Sequence, residues 1–134
     1  MFLTVIYVVL YVLGIGASIW GRRETANFLR LHREIRSEAS LEAFKELARG
    51  NMRLALVTIP VLVLGTLLGL VLIVRHGVLA GVGVVLTNAV LLIAGQMCGR
   101  LEKRARSLPA ANETLAQEQR RVIESWQKKA LPDF

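Results

Sequence analysis

GTLLGLVLIVRHGVLAGVG, residues 65–83, decides the fold. The stretch is apolar apart from Arg75-His76, and its glycines recur four apart, as Gly65/Gly69 and Gly77/Gly81. Glycine disfavours a helix in water by roughly 1 kcal/mol relative to alanine. In lipid the balance differs: the tails are as apolar as leucine, so helices associate by close van der Waals contact, which small residues permit. The stretch therefore reads as the place where two membrane helices meet and turn, at Arg75-His76.

Working outward, the apolar residues of the 134-residue chain fall into three runs, Phe2–Trp20, Leu54–Val74 and Gly77–Cys98, none containing Asp, Glu, Lys, Arg or His. Each is near the ~20 residues that cross ~30 Å of hydrocarbon as a helix. The expected architecture is all-α, a single membrane domain with three transmembrane helices. They occupy residues 2–20, 54–75 and 77–99, with a cytoplasmic helical hairpin at 21–53 and a cytoplasmic helical tail at 100–134. The first run lacks a preceding Lys or Arg and is followed by Arg22-Arg23, unlike a cleavable signal.

Charge sets the expected orientation. Eight Lys and Arg lie between the first two runs, eight follow the third, and only Arg75 lies between the second and third. Both basic regions are expected in the cytoplasm, N-out and C-in, most simply in a bacterial inner (plasma) membrane. Topology accounts for the net charge of +7 without nucleic acid. Within the second region Arg100, Lys103, Arg104 and Arg106 are candidate contacts for anionic lipid headgroups.

The 21–53 segment lacks proline. Phe28, Leu31, Ile35 and Ala39 share one helical face, and Leu41, Phe44, Leu47 and Ala48 share another. The phase change predicts a turn around Ser37–Ser40, with Ser40 as N-cap. Acids at Glu34, Glu38, Glu42 and Glu46 argue against a helix lying on anionic lipid. They fit pairs such as Glu42–Lys45 and Glu46–Arg49. The helix of the third run should continue to about Ser107, before Pro109. A last amphipathic helix should follow, with a Thr114/Gln117 capping box. Its stripe of Leu115, Val122, Ile123 and Trp126 requires a cover.

The expected helix-packing surface comprises Gly65, Gly69, Gly77, Gly81, Gly83, Asn88, Gly95 and Gly99. Measured from the turn, Gly69 comes level with Gly83, and Gly65 with Thr87. Gly95 and Gly99 come level with Gly14, Gly16, Ala17 and Gly21. Asn88 should hydrogen-bond between helices, and Pro60 should bend the second span with Thr58 compensating.

Chemistry is sparse. His32 and His76 are expected on opposite sides of the membrane, no acid lies within the runs, and Cys98 is the only cysteine. No catalytic residue, metal site or cofactor is expected. The reading is a non-catalytic accessory or structural subunit of a membrane complex, with itself or other membrane-protein subunits as partners. The alternative is a homo-oligomeric channel with Pro60, Thr66, Thr87 or Asn88 near its pore.

Residues 43–66, AFKELARGNMRLALVTIPVLVLGT, resemble the start of large-conductance mechanosensitive channels. In that family a short amphipathic helix, an Arg-Gly-Asn step and an apolar glycine-containing pore helix follow one another; Phe44, Arg49, Gly50 and Asn51 match. An additional run precedes the match, the outer loop is reduced to a turn, and the acid expected soon after Asn51 is missing. These departures leave the family unassigned.

Overall fold

The computed structural model describes residues 1–129, and is helical nearly throughout. Asp133 and the rest of the expected tail, 130–134, lie outside the described residues. Four helices follow in order: α1 (Phe2–Leu31), α2 (Glu38–His76), α3 (Val78–Arg106) and α4 (Glu113–Lys128). The first three are long and apolar enough to cross a membrane. In their most apolar windows only 17%, 17% and 11% of residues are buried within the chain. Val5, Val9, Leu64, Leu67, Val85 and Leu92 instead point outward. An outer surface of this kind suits hydrocarbon.

At 1.5 Å per residue α1 rises ~45 Å and α2 ~58 Å, well beyond ~30 Å of hydrocarbon. The extra turns are the charged ends of the same helices. Gly77 alone links α2 to α3, at φ +71°. A side chain is strained in that region of backbone space. Although the Gly77/Gly81 spacing suggests packing, Gly77 forms the turn, and a Cβ there would meet nothing within 4 Å. Pro60 leaves α2 unbroken, and Thr58 Oγ1 donates to the Leu54 carbonyl at 2.7 Å.

The ends of the helices differ from expectation in identifiable ways. α1 stops at Leu31, so Ile35 lies in an extended link. Its N–H donates to the Pro109 carbonyl and its carbonyl accepts from Ala111 N–H, each at 2.9 Å. This single bridge buries Ile35 completely, whereas Leu31 and Ala39 stay exposed. The N-cap of α2 is Ser37, not Ser40: Ser40 N–H donates to Ser37 Oγ, and Ser37 N–H to Ser40 Oγ. The two serines form a reciprocal cap in which Ser40 takes the third helical position. For α4 the cap is Asn112, without a side-chain bond, so Thr114 and Gln117 form no capping box. Starting at Glu113 puts Thr114 already inside the helix.

The charged end has its own core of Phe28, Ile35, Leu41, Phe44, Leu47, Ala48, Ala105, Leu115 and Val122. The α4 stripe is thus covered by the chain itself. Phe44 is fully buried, with the Phe28 and Trp126 rings each 6.0 Å from its own. Gln119 donates to the Leu108 carbonyl at 2.9 Å. The expected pairs Glu42–Lys45 and Glu46–Arg49 form at 2.9 and 2.8 Å. Lys45 beside Glu42 holds that carboxyl below its usual range.

Phe44→Ala removes the ring around which α1, α2 and α4 gather. It should cost about 3–5 kcal/mol and release α4. In a Trp20→Phe background, Trp126 fluorescence should shift to the red while helicity of the apolar segments persists.

Candidate functional site

The long helices meet through glycine, but the groups that fill the spaces are tyrosines. Gly65 and Gly69 of α2 form a notch one turn long, and Tyr7 and Tyr11 of α1, also four apart, enter it. A Cβ on Gly65 would stand 3.4 Å from the Tyr11 ring, and one on Gly69 3.2 Å from Tyr7 and 2.9 Å from Val84 Cγ1. The pairing runs antiparallel, Tyr7 to Gly69 and Tyr11 to Gly65. Gly83 does not meet Gly69 as depth had suggested. Val84 fills that place, and Gly83 opens on nothing within 4 Å. Leu91 of α3 packs on Gly14, completing a core of Tyr7, Tyr11, Leu72, Val84 and Leu91.

Polar groups are gathered in this apolar core. The Tyr7 hydroxyl lies 2.6 Å from Thr87 Oγ1. Thr87 directs its own proton to the backbone carbonyls of Gly83 and Val84, so Tyr7 is the donor. Asn88 donates to the Val84 carbonyl at 2.8 Å, within its own helix rather than to the neighbour expected. Tyr11 places its hydroxyl among Tyr7, Thr87 and Asn88, buried and without a hydrogen-bond partner. Pro60 and Thr66 lie on the exposed side of α2 and do not share a lining with Thr87 and Asn88.

A second junction marks the boundary with the charged end. Gly21 of α1 receives Leu54 of α2, whose Cδ2 would lie 2.8 Å from an added Cβ. Beside it buried Asn51 donates to Thr25 Oγ1 at 3.3 Å, and Thr25 donates to the Gly21 carbonyl at 2.9 Å. Asn51 of the Arg-Gly-Asn step is thereby a contact between helices. Gly21 and Gly14 are thus occupied by α2 and Leu91, not by Gly95 and Gly99, which meet nothing within 4 Å. Gly81 approaches Ile73 at 3.9 Å. Cys98 donates to the Ser18 carbonyl at 3.2 Å.

The third feature is a groove of about 530 Å³ where α1 and α3 leave their apolar segments. It is lined by Arg22, Met97, Arg100, Leu101, Lys103, Arg104 and Ser107. Three of the four sequence-predicted cations are here. The fourth, Arg106, turns away and lies with its guanidinium 5.5 Å over the Trp126 ring. Arg22 was not foreseen; its distance in sequence from Arg100 hides their proximity. Glu102, beyond the apolar run, is half-buried outside the groove, where burial pushes its carboxyl above the usual range against the pull of Arg106. Among the described residues no group of His, Cys, Asp and Glu is arranged to hold a metal ion. No family model, curated protein or solved structure matches this chain.

Gly69→Leu should drive Tyr7 and Val84 out of place and destabilise the single chain by about 1–3 kcal/mol, seen as a lower Tm in detergent. The tyrosines should separate: Tyr7→Phe should cost about 1 kcal/mol through its lost bond to Thr87, whereas Tyr11→Phe, removing an unpartnered hydroxyl, should be neutral or stabilising. Equal losses for both would contradict the assignment of a hydrogen bond to the Tyr7 hydroxyl and of none to Tyr11.

Proposed function

We propose that the chain is a non-catalytic accessory or scaffolding subunit of a membrane assembly, inserted N-out and C-in in a bacterial inner membrane. The supporting observation is the division of its glycines. Gly14, Gly21, Gly65 and Gly69 pack against this chain's own side chains, whereas Gly83, Gly95 and Gly99 on α3 meet nothing within 4 Å. Glycine in a membrane helix allows close approach by another helix. Gly95 and Gly99, one turn apart near the end of α3, offer that approach to a second copy or another membrane subunit. The charged lobe, held by its own core, gives the assembly a rigid cytoplasmic face. The orientation is supported by the clustering of Lys and Arg outside the α2–α3 turn.

Native mass measurement after gentle solubilisation should give a species heavier than one chain. Gly99→Leu should reduce that species while leaving the Tm of the single chain unchanged. A wild-type chain that is monomeric both in detergent and by crosslinking in its membrane would refute the subunit reading. Orientation has its own test. A cysteine at His76 should react with an impermeant reagent added outside intact cells, and one at Ser125 should not; the reverse pattern would invert the topology.

A further inference from the structure

The basic groove between α1 and α3 lies where hydrocarbon gives way to charge. The apolar run of α1 ends at Trp20 and that of α3 near Gly99; Arg22 and Arg100 are the first cations after each. Arg22 Nη1 lies 4.0 Å from Met97 Sδ, so the two helix ends come to one level. Arg22, Arg100, Lys103 and Arg104 converge with the Ser107 side chain around the groove, which no acidic residue lines. None of these four cations forms an ion pair with a carboxylate among the described residues. Four positive charges without a counter-charge repel one another, and an anion between them would relieve that repulsion.

The surface leading into the groove defines the rest of the ligand. Leu86, Val90, Ile93 and Met97 follow at spacings of four, three and four, so they lie along one face of α3. They are 62%, 51%, 59% and 38% exposed. This stripe leads along the apolar part of α3 to Met97 and Leu101, which line the groove itself. From Leu86 to Met97 it extends ~16 Å, the scale of an acyl chain. A soluble phosphate compound would have no use for it.

We propose that this groove binds the headgroup of an anionic phospholipid, its phosphate held by Arg22 and Arg100 with Lys103 and Arg104 beside them, and an acyl chain lying on the Leu86–Met97 stripe. The site is complete within one chain and stands independently of the subunit reading. The recognised feature is a phosphate whose negative charge no headgroup cation neutralises, which separates phosphatidylglycerol from phosphatidylcholine, and the cluster of cations supplies charge and N–H donors to it.

The test uses the full chain in detergent, titrated with phosphatidylglycerol, with phosphatidylcholine and with inorganic phosphate. Native mass spectra and Tm give the readout. Phosphatidylglycerol should remain as a bound adduct and raise the Tm; phosphatidylcholine and inorganic phosphate at the same concentration should do neither. The double variant Arg22→Gln/Arg100→Gln should weaken phosphatidylglycerol binding about tenfold or more. Arg23→Gln/Arg120→Gln, with the same change in net charge but outside the groove, should not. The glutamine variant should keep the lipid-free Tm of the wild type, which separates loss of the site from misfolding, and Arg22→Lys/Arg100→Lys, which keeps the charge, should bind more tightly than the glutamine variant. Equal weakening by both glutamine pairs would reduce the effect to general charge and overturn the proposal. Stabilisation by inorganic phosphate matching that by the lipid would overturn it in favour of a soluble anion.

Discussion

The fit of Tyr7 and Tyr11 into the Gly65–Gly69 notch is the contact on which the apolar bundle depends. In lipid, moving an apolar side chain from tail to protein changes little, so association depends on how closely surfaces match. Paired glycines leave α2 with a hollow one turn long, and paired tyrosines supply rings of the same repeat. Their ring centroids lie 4.5 Å apart, so the two rings also pack on each other as they fill it. Val84 enters from α3 against the same Gly69. Three helices are thereby located by one hollow, with the Tyr7–Thr87 bond fixing the level of α1 against α3.

Different physics holds the charged end. Phe28, Phe44 and Val122 leave water when they pack, and the hydrophobic effect contributes directly there. α1 and α2 pass without a break from one regime to the other, so the two cores share the same continuous helices. Their boundary is the Gly21–Leu54 contact and the buried Asn51–Thr25 hydrogen bond. A polar link is suited to this level, since it replaces the interfacial water that two buried amide and hydroxyl groups would otherwise hold.

The long helices were legible because hydrocarbon thickness demands long uncharged runs, and three such runs are plain in the composition. The covered stripe on α4 was also legible, as a 3.6-residue pattern. Contacts between helices were not. Counting residues from the turn placed Gly69 opposite Gly83, but depth does not say which way each face is rotated, and the rotation instead presents Val84 and Tyr7. Tyr7 and Tyr11 had a visible signal in their spacing of four, matching Gly65/Gly69, yet their hydroxyls are overlooked when a run is scored only for hydrophobicity. Ile35 continued the helical phase of Phe28 but is buried by an extended bridge to residues 109–111, a pairing between segments distant in sequence. The meeting of Arg22 with Arg100 is of the same non-local kind.

α3 shows how much a three-helix unit leaves for other neighbours. Its inward face carries Val84, Thr87, Leu91 and, further along, Ala105. A helix is cylindrical, and two adjacent helices can cover only part of its circumference, which is why its apolar window is the least buried of the three. The remaining circumference is not uniform. One flank carries Gly95 and Gly99, which remove side-chain bulk; another carries Leu86, Val90, Ile93 and Met97, which add it and lead to the cations. Bulk favours fluid acyl chains, which fit an uneven surface by changing conformation, whereas a flat glycine surface favours the rigid side of a helix. The two flanks of α3 therefore differ in kind, and on the two proposals made above their separation would let one helix accept a lipid on one side without closing the other to a protein partner.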